Sequence, residues 1–292
     1  MNRYTNKFMN YKQFLIIVFV LLALKSNVAA QDKVRTLLEK AAQHEKEKNL
    51  SQAVSVYLEI IKLAPESAFA YNNLGVNYSE LQRYAEAAAA LEKAIALGSN
   101  YEKAYFNLGT VYWHQKRFSE ATAALEKAIA LNSGYAAARA RLCDCYLASE
   151  QPQSAARCYE KLFTLAPPDA GSHSNYGVAL MRAKRTPEAV LIFEDALRKF
   201  PPRAETFNNL GVALLELRRA KEAVAAFDQA LAIEPDNESM RYNAAIAALA
   251  ARNKPAALRQ YAFLKQTNAP LAAQLYATIY KGKIISVKAG NY

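Results

Sequence analysis

From residue 34 to residue 271 the apolar residues recur at helical spacing and in pairs of stripes. Tyr71, Leu74, Gly75 and Tyr78 stand at i, i+3, i+4 and i+7, one face of a helix. Ala87, Leu91 and Ala94 form a matching stripe on a second helix. The same two-helix pattern returns every 34 residues. Gly75, Gly109, Gly177 and Gly211 keep that register, and Cys143 fills the missing place. Twelve residues after each comes an alanine (Ala87, Ala121, Ala155, Ala189, Ala223). Four residues further comes a bulky side chain: Leu91, Leu125, Tyr159, Phe193 or Phe227. The register extends back through Ala53, Tyr57 and Ile60 and forward through Ala257, Tyr261 and Leu264. Seven helix–turn–helix repeats, starting near 34, 68, 102, 136, 170, 204 and 238, therefore fit without an insertion. A glycine inside a helix costs about 1 kcal/mol against alanine, so its recurrence predicts close packing of two backbones. Prolines at 65, 167, 168, 201, 202 and 235 are placed to stop the second helices.

The stretches "AYNNLGVNY…RYAEAAAALEKA" (70–94) and "AYFNLGTVY…RFSEATAALEKA" (104–128) carry a known signature. In them an aromatic residue, Leu-Gly, Tyr, Ala, a bulky residue and Ala follow at fixed spacing. The chain resembles the tetratricopeptide repeat (TPR) family over about 240 residues. The resemblance implies an all-α, right-handed superhelical solenoid whose first helices line a concave groove, and a scaffold that binds a protein or extended peptide. The outer repeats depart from the pattern, with Ala41 and Ala245 for the glycine and Leu37 and Arg241 for the leading aromatic. Terminal repeats bury only one face, so such departures are expected there. "PLAAQLYATIY" begins a further helix, 270–281, expected to cap the last repeat with Leu271, Leu275 and Ile279.

Numbering each repeat from the start of its first helix, the core positions 4, 7, 8 and 11 centre roughly at 30° on the helical wheel. Position 6 falls roughly 150° away, which points it toward the groove. It holds Glu39, Asn73, Asn107, Arg141, Asn175, Asn209 and Asn243. An asparagine amide both donates and accepts, so such a file can hold a peptide backbone irrespective of sequence; a merely solvated amide is the alternative. Asn72 and Asn208, one residue earlier, are expected at the groove's edge with no ladder of their own. Phe69, Phe106, Trp113 and Met181 are placed on or beside the same surface, as anchors or as packing between neighbouring first helices. The family's two-carboxylate clamp is matched only at Asn107 and Arg141, with Val76 and Ala137 standing where Asn and Lys should be.

Charge adds little to this picture. The net +11 divides into +4 in residues 1–30, zero in 31–237 and +7 in 238–292. The first six repeats are thus neutral together, and the excess charge sits at the two ends, which argues against a nucleic-acid partner. Residues 14–24, "FLIIVFVLLAL", follow a basic segment, are too short to span a membrane, and precede "KSNVAA". Residues 1–30 therefore read as an export signal cut before Gln31, the alternative being a retained anchor. The mature chain, periplasmic or secreted, would have no stable membrane span. It would meet an oxidising compartment, where Cys143 or Cys145 could bridge to Cys158, or all three could be small buried residues. Residues 282–292 form a basic tail. The three histidines are scattered, and neither a nucleophile–base set, a phosphate loop nor a metal motif is present. A non-enzymatic scaffold without cofactor is expected. The second possibility is an assembly subunit of an envelope machine, docking through its convex face or basic C-terminal end.

Overall fold

The computed structural model describes residues 31–281 except Ser99 and Pro168; the expected leader and the basic tail lie outside the described residues. Fifteen helices occupy these residues. The first six are α1 (31–46), α2 (Leu50–Leu63), α3 (Ala68–Glu80), α4 (Tyr84–Leu97), α5 (Glu102–His114) and α6 (Phe118–Leu131). They are followed by α7 (Ala136–Ala148), α8 (Pro152–Leu165), α9 (Ala170–Arg182), α10 (Thr186–Lys199) and α11 (Ala204–Glu216). The last four are α12 (Ala220–Ile233), α13 (Glu238–Ala250), α14 (Lys254–Thr267) and α15 (Ala269–Lys281). The fold is all-α, built of sequential helix pairs. Helix α1 is described from residue 31, three residues before the repeat register, and α15 starts one residue before the expected cap.

The chain forms two compact units that divide after Asn132. In the first, α3 pairs with α4 and α5 with α6, α3 also packs against α2 and α5 against α4, and α1 shares one core with α2. Its core joins Leu37 and Ala41 to Ala53, Tyr57, Ile60, Leu74 and Ala90. In the second, α7–α14 make four pairs, and α15 packs on α13 and α14. There Leu275 is buried, with Leu271 and Ile279 packed against Tyr242, Ala245 and Leu264.

Close approach explains the repeated glycine. A Cβ on Gly75 would lie 2.6 Å from Leu91 Cγ, and one on Gly177 would lie 2.4 Å from Phe193 Cε1. The large side chain of each second helix thus occupies the space that the glycine leaves.

Every first helix ends in the same way. Gln82 N–H donates to the Ser79 carbonyl and Arg83 N–H to the Tyr78 carbonyl, at 2.9 and 2.8 Å, with Gln82 at φ 60°. These are the two bonds of a Schellman motif. Left-handed residues recur at Lys48, Gln82, Lys116, Glu150, Lys184, Arg218 and Arg252, one every 34 residues, and none is glycine. The residue that follows does further work in two repeats. Arg83 lies 4.4 Å over the Tyr78 ring and Arg117 4.3 Å over the Tyr112 ring. Each guanidinium also pairs with a glutamate in the first turn of the next helix, Glu86 and Glu120 respectively. Second helices α2, α8, α10 and α12 stop just before the expected prolines. By contrast, α4 and α6 end at Leu97 and Leu131, before Gly98 and Asn132.

Candidate functional site

The position-6 residues all stand on first helices, but their surroundings differ. In the first unit Asn73 and Asn107 are half-buried and Glu39 is exposed. Asn107 Nδ2 donates to Asn72 Oδ1 at 2.9 Å, and Asn72 Nδ2 donates to Asn73 Oδ1 at 3.2 Å. One turn on, Asn77 Nδ2 reaches Glu45 Oε1 at 2.6 Å and the Asn73 carbonyl at 2.8 Å. Three successive first helices, α1, α3 and α5, are joined by these amides.

The second unit repeats the device. Asn243 Nδ2 donates to Asn208 Oδ1 at 2.9 Å, and Asn208 Nδ2 donates to Asn209 Oδ1 at 3.4 Å. In the fourth repeat an aspartate takes the acceptor's place. Asp144 Oδ1 receives Asn175 Nδ2 at 2.9 Å and the Tyr159 hydroxyl, while Arg141 Nη1 lies 3.8 Å from Oδ2. Burial pushes the pKa of the Asp144 carboxyl up, while Tyr159, Asn175 and Arg141 pull it back.

Two expectations are corrected here. Asn72 and Asn208 are buried links to the next repeat rather than edge residues. Asn209 and Asn243, expected to face an open groove, are 0% and 1% exposed. The reason is that a helical wheel treats each helix alone, whereas α11 packs against α9 and α13 and loses that face to its neighbours. Of the surface aromatics and Met181, Phe69 is 52% exposed, Phe106 and Trp113 are half-buried, and Met181 is buried. The two clamp matches, Asn107 and Arg141, fall in different units.

Elsewhere the polar groups of the interior are structural. His173 lies buried between Phe163 and Phe200, with ring centroids 4.8 and 5.0 Å away. Its Nε2 is 3.2 Å from Asp195 Oδ2 and its Nδ1 is 3.1 Å from the Asp169 carbonyl. The Asp195 carboxyl is held below its ordinary pKa, first by Lys199 and then by His173. Cys143 and Cys158 form a disulfide between α7 and α8, with Cα atoms 5.3 Å apart. Cys145 is a buried free thiol, its pKa pushed up to about 12 by burial and by the Asp144 charge. Among the described residues no three His, Cys, Asp or Glu side chains converge as metal ligands, and no helix is long and apolar enough to cross a membrane.

Asp144 and the left-handed residues went unread in the sequence. The second carried a signal: a long polar residue at position 15 of every repeat.

Paired helices of fixed length, a shared glycine contact and polar links between first helices define a helical-repeat array. Family models described as tetratricopeptide repeat match residues 38–102, 72–136, 112–174 and 204–237, more than half of the chain. The chain belongs to the tetratricopeptide repeat family, and it is a non-enzymatic protein–protein interaction scaffold. No curated protein sequence matches it. Among solved structures it is similar to YrrB, described as a TPR protein with an unusual peptide-binding site. The identity is 25%, the TM-score is 0.58, and the match covers 67% of this chain and 97% of that one. MamA is also similar, at 25% identity and a TM-score of 0.53, covering 57% of this chain and 91% of the other. Pseudomonas aeruginosa PilF, at 19% identity and a TM-score of 0.61, covers 75% of this chain and 99% of its own, and shows the shared fold.

Proposed function

We propose that the chain is an exported scaffold that docks extended peptide along the first helices of each unit. The observation that carries this reading is the state of Asn107 and Asn175. Both are half-buried, and the Nδ2 of each is held by the preceding repeat. Among the described residues no donor reaches the Oδ1 of either. Each amide is therefore oriented in advance as an acceptor for a backbone N–H, which lowers the ordering cost of binding. Arg141 and Asn73 extend the same polar face within their own units, and Phe69 offers an exposed ring for an apolar side chain of the peptide. The peptide-binding description of YrrB supports the same use of the fold.

Export is the companion proposal. The disulfide supports it, since such bonds persist in oxidising compartments. N-terminal sequencing of the protein from its native cell should begin at Gln31; a retained leader would overturn cleavage. For docking, the test is in vivo crosslinking of the N107A/N175A double variant. Captured partner peptide should fall about tenfold with far-UV circular dichroism unchanged. Capture equal to wild type would remove the acceptor file from the binding surface.

A further inference from the structure

The fourth repeat departs from its neighbours at several positions that the fold gathers in one place. Position 4 is Tyr71, Tyr105 and Phe207 in the second, third and sixth repeats, but Arg139 in the fourth. Position 19 is Glu86, Glu120 and Glu222 in those repeats, but Ser154 in the fourth. Position 22 is Ala89, Ala123 and Ala225, but Arg157 in the fourth. Each glutamate pairs with an arginine three residues before it, Arg83, Arg117 or Arg219; the fourth repeat has Gln151 there and forms no such pair.

Arg139, Ser154 and Arg157 line one cleft of about 410 Å³ on α7 and α8, with Lys161 beside them and Leu142 and Cys158 at its floor. No carboxylate is among the lining residues. Arg157 and Lys161 are exposed, and among the described residues neither makes an ion pair. Arg139 is half-buried. Its Nη2 rests at 3.3 Å on the Ser133 carbonyl, and its Nε is shut from solvent without an acceptor. The Cys143–Cys158 bridge ties α7 to α8 and so fixes the spacing of the cationic side chains.

We propose that this cleft is a second binding site, which takes the side-chain carboxylates of an acidic polypeptide segment. A guanidinium grips a carboxylate through two parallel N–H donors, and Lys161 adds a point charge. Three cations in one cleft, on a stretch (31–237) that is neutral as a whole, match a pair of carboxylates. A phosphate backbone would need positive charge running along its length. The site is separate from the position-6 face, because Arg139 and Arg141 point about 200° apart around α7.

The test uses the full oxidised chain and a fluorescein-labelled peptide containing six consecutive glutamates, followed by anisotropy. Saturable binding is expected, weakening as salt rises. The R157E/K161E variant should lose about tenfold or more in affinity, since like charges then face the probe. Both substituted residues are exposed, and an unchanged melting curve confirms that the variant is folded. N107A/N175A should bind the probe as wild type does, which separates this site from the proposed groove. Absence of binding to wild type, or equal affinity in R157E/K161E, would overturn the proposal. A uridine oligonucleotide that bound as tightly as the peptide would overturn the choice of partner.

Discussion

The two units solve the same packing problem with different side chains. In the first, Gly75 and Gly109 receive Leu91 and Leu125; in the second, Gly177 and Gly211 receive Phe193 and Phe227. Both tie successive first helices with a doubled asparagine. The Asn73–Asn72–Asn107 chain keeps its two ends half-buried, whereas Asn209, Asn208 and Asn243 are all buried. Only the second unit holds cysteines, and there a disulfide stands where the glycine is missing. A repeat pattern therefore specifies which positions meet, while the local environment decides how much each meeting is worth.

The largest difference to expose is the disulfide. A bridge closing a loop of 15 residues stabilises by about 3 kcal/mol in the chain-entropy account. Reductant should lower the melting of the second unit and leave the first unchanged, read by hydrogen exchange resolved along the chain. Equal destabilisation of both would mean that the units do not respond separately. Next comes Gly177→Ala, whose new methyl meets the Phe193 ring and should cost about 1–3 kcal/mol. Gly98→Ala is the control, since its Cβ would find nothing nearer than 3.5 Å and should leave stability almost unaltered. The asparagine links rank third. Asn208→Ala leaves partners in a closed interior and should cost about 2 kcal/mol, against about 1 kcal/mol for Asn72→Ala. Denaturant titration of the two variants would measure the gap, and equal losses would show that burial of the flanking amides does not matter.

Much of this architecture is legible in the sequence, because the contacts that set it are between positions at fixed spacing. Gly75 with Leu91, the stops before the prolines, and Leu275 under the last repeat can all be read from period and volume. Much of what stays hidden depends on a neighbour in another repeat, 30 or more residues away. The wheel places Asn209 correctly on its helix but cannot show that the adjacent first helices close over it. Asn208 looks dispensable because other repeats put Phe106 or Tyr242 at its place, yet it accepts the bond from Asn243. The three cysteines left two bridges open, and only the direction of the helix pair selects Cys143. Asp144 went unread because an aspartate standing in for an asparagine pair has no repeat of its own.

The left-handed residues make the smallest prediction and the one that the two units should share. Each first helix ends with a non-glycine residue near φ 60°, from Lys48 to Arg252. That conformation costs an L-residue roughly 1–2 kcal/mol, and glycine avoids the cost while giving up about 0.5–1 kcal/mol of unfolded-chain entropy. Gln82→Gly in the first unit and Arg218→Gly in the second should therefore each stabilise by about 0.5 kcal/mol. Neither loses an ion pair, because among the described residues neither side chain makes one. The backbone bonds that define the motif, Arg83 N–H to Tyr78 and Arg219 N–H to Leu214, are both 2.8 Å and survive the change. Equal gains would show that the turn is set by the repeat alone. A gain confined to one unit would mean that the packing around the turn, and not its backbone conformation, governs its stability.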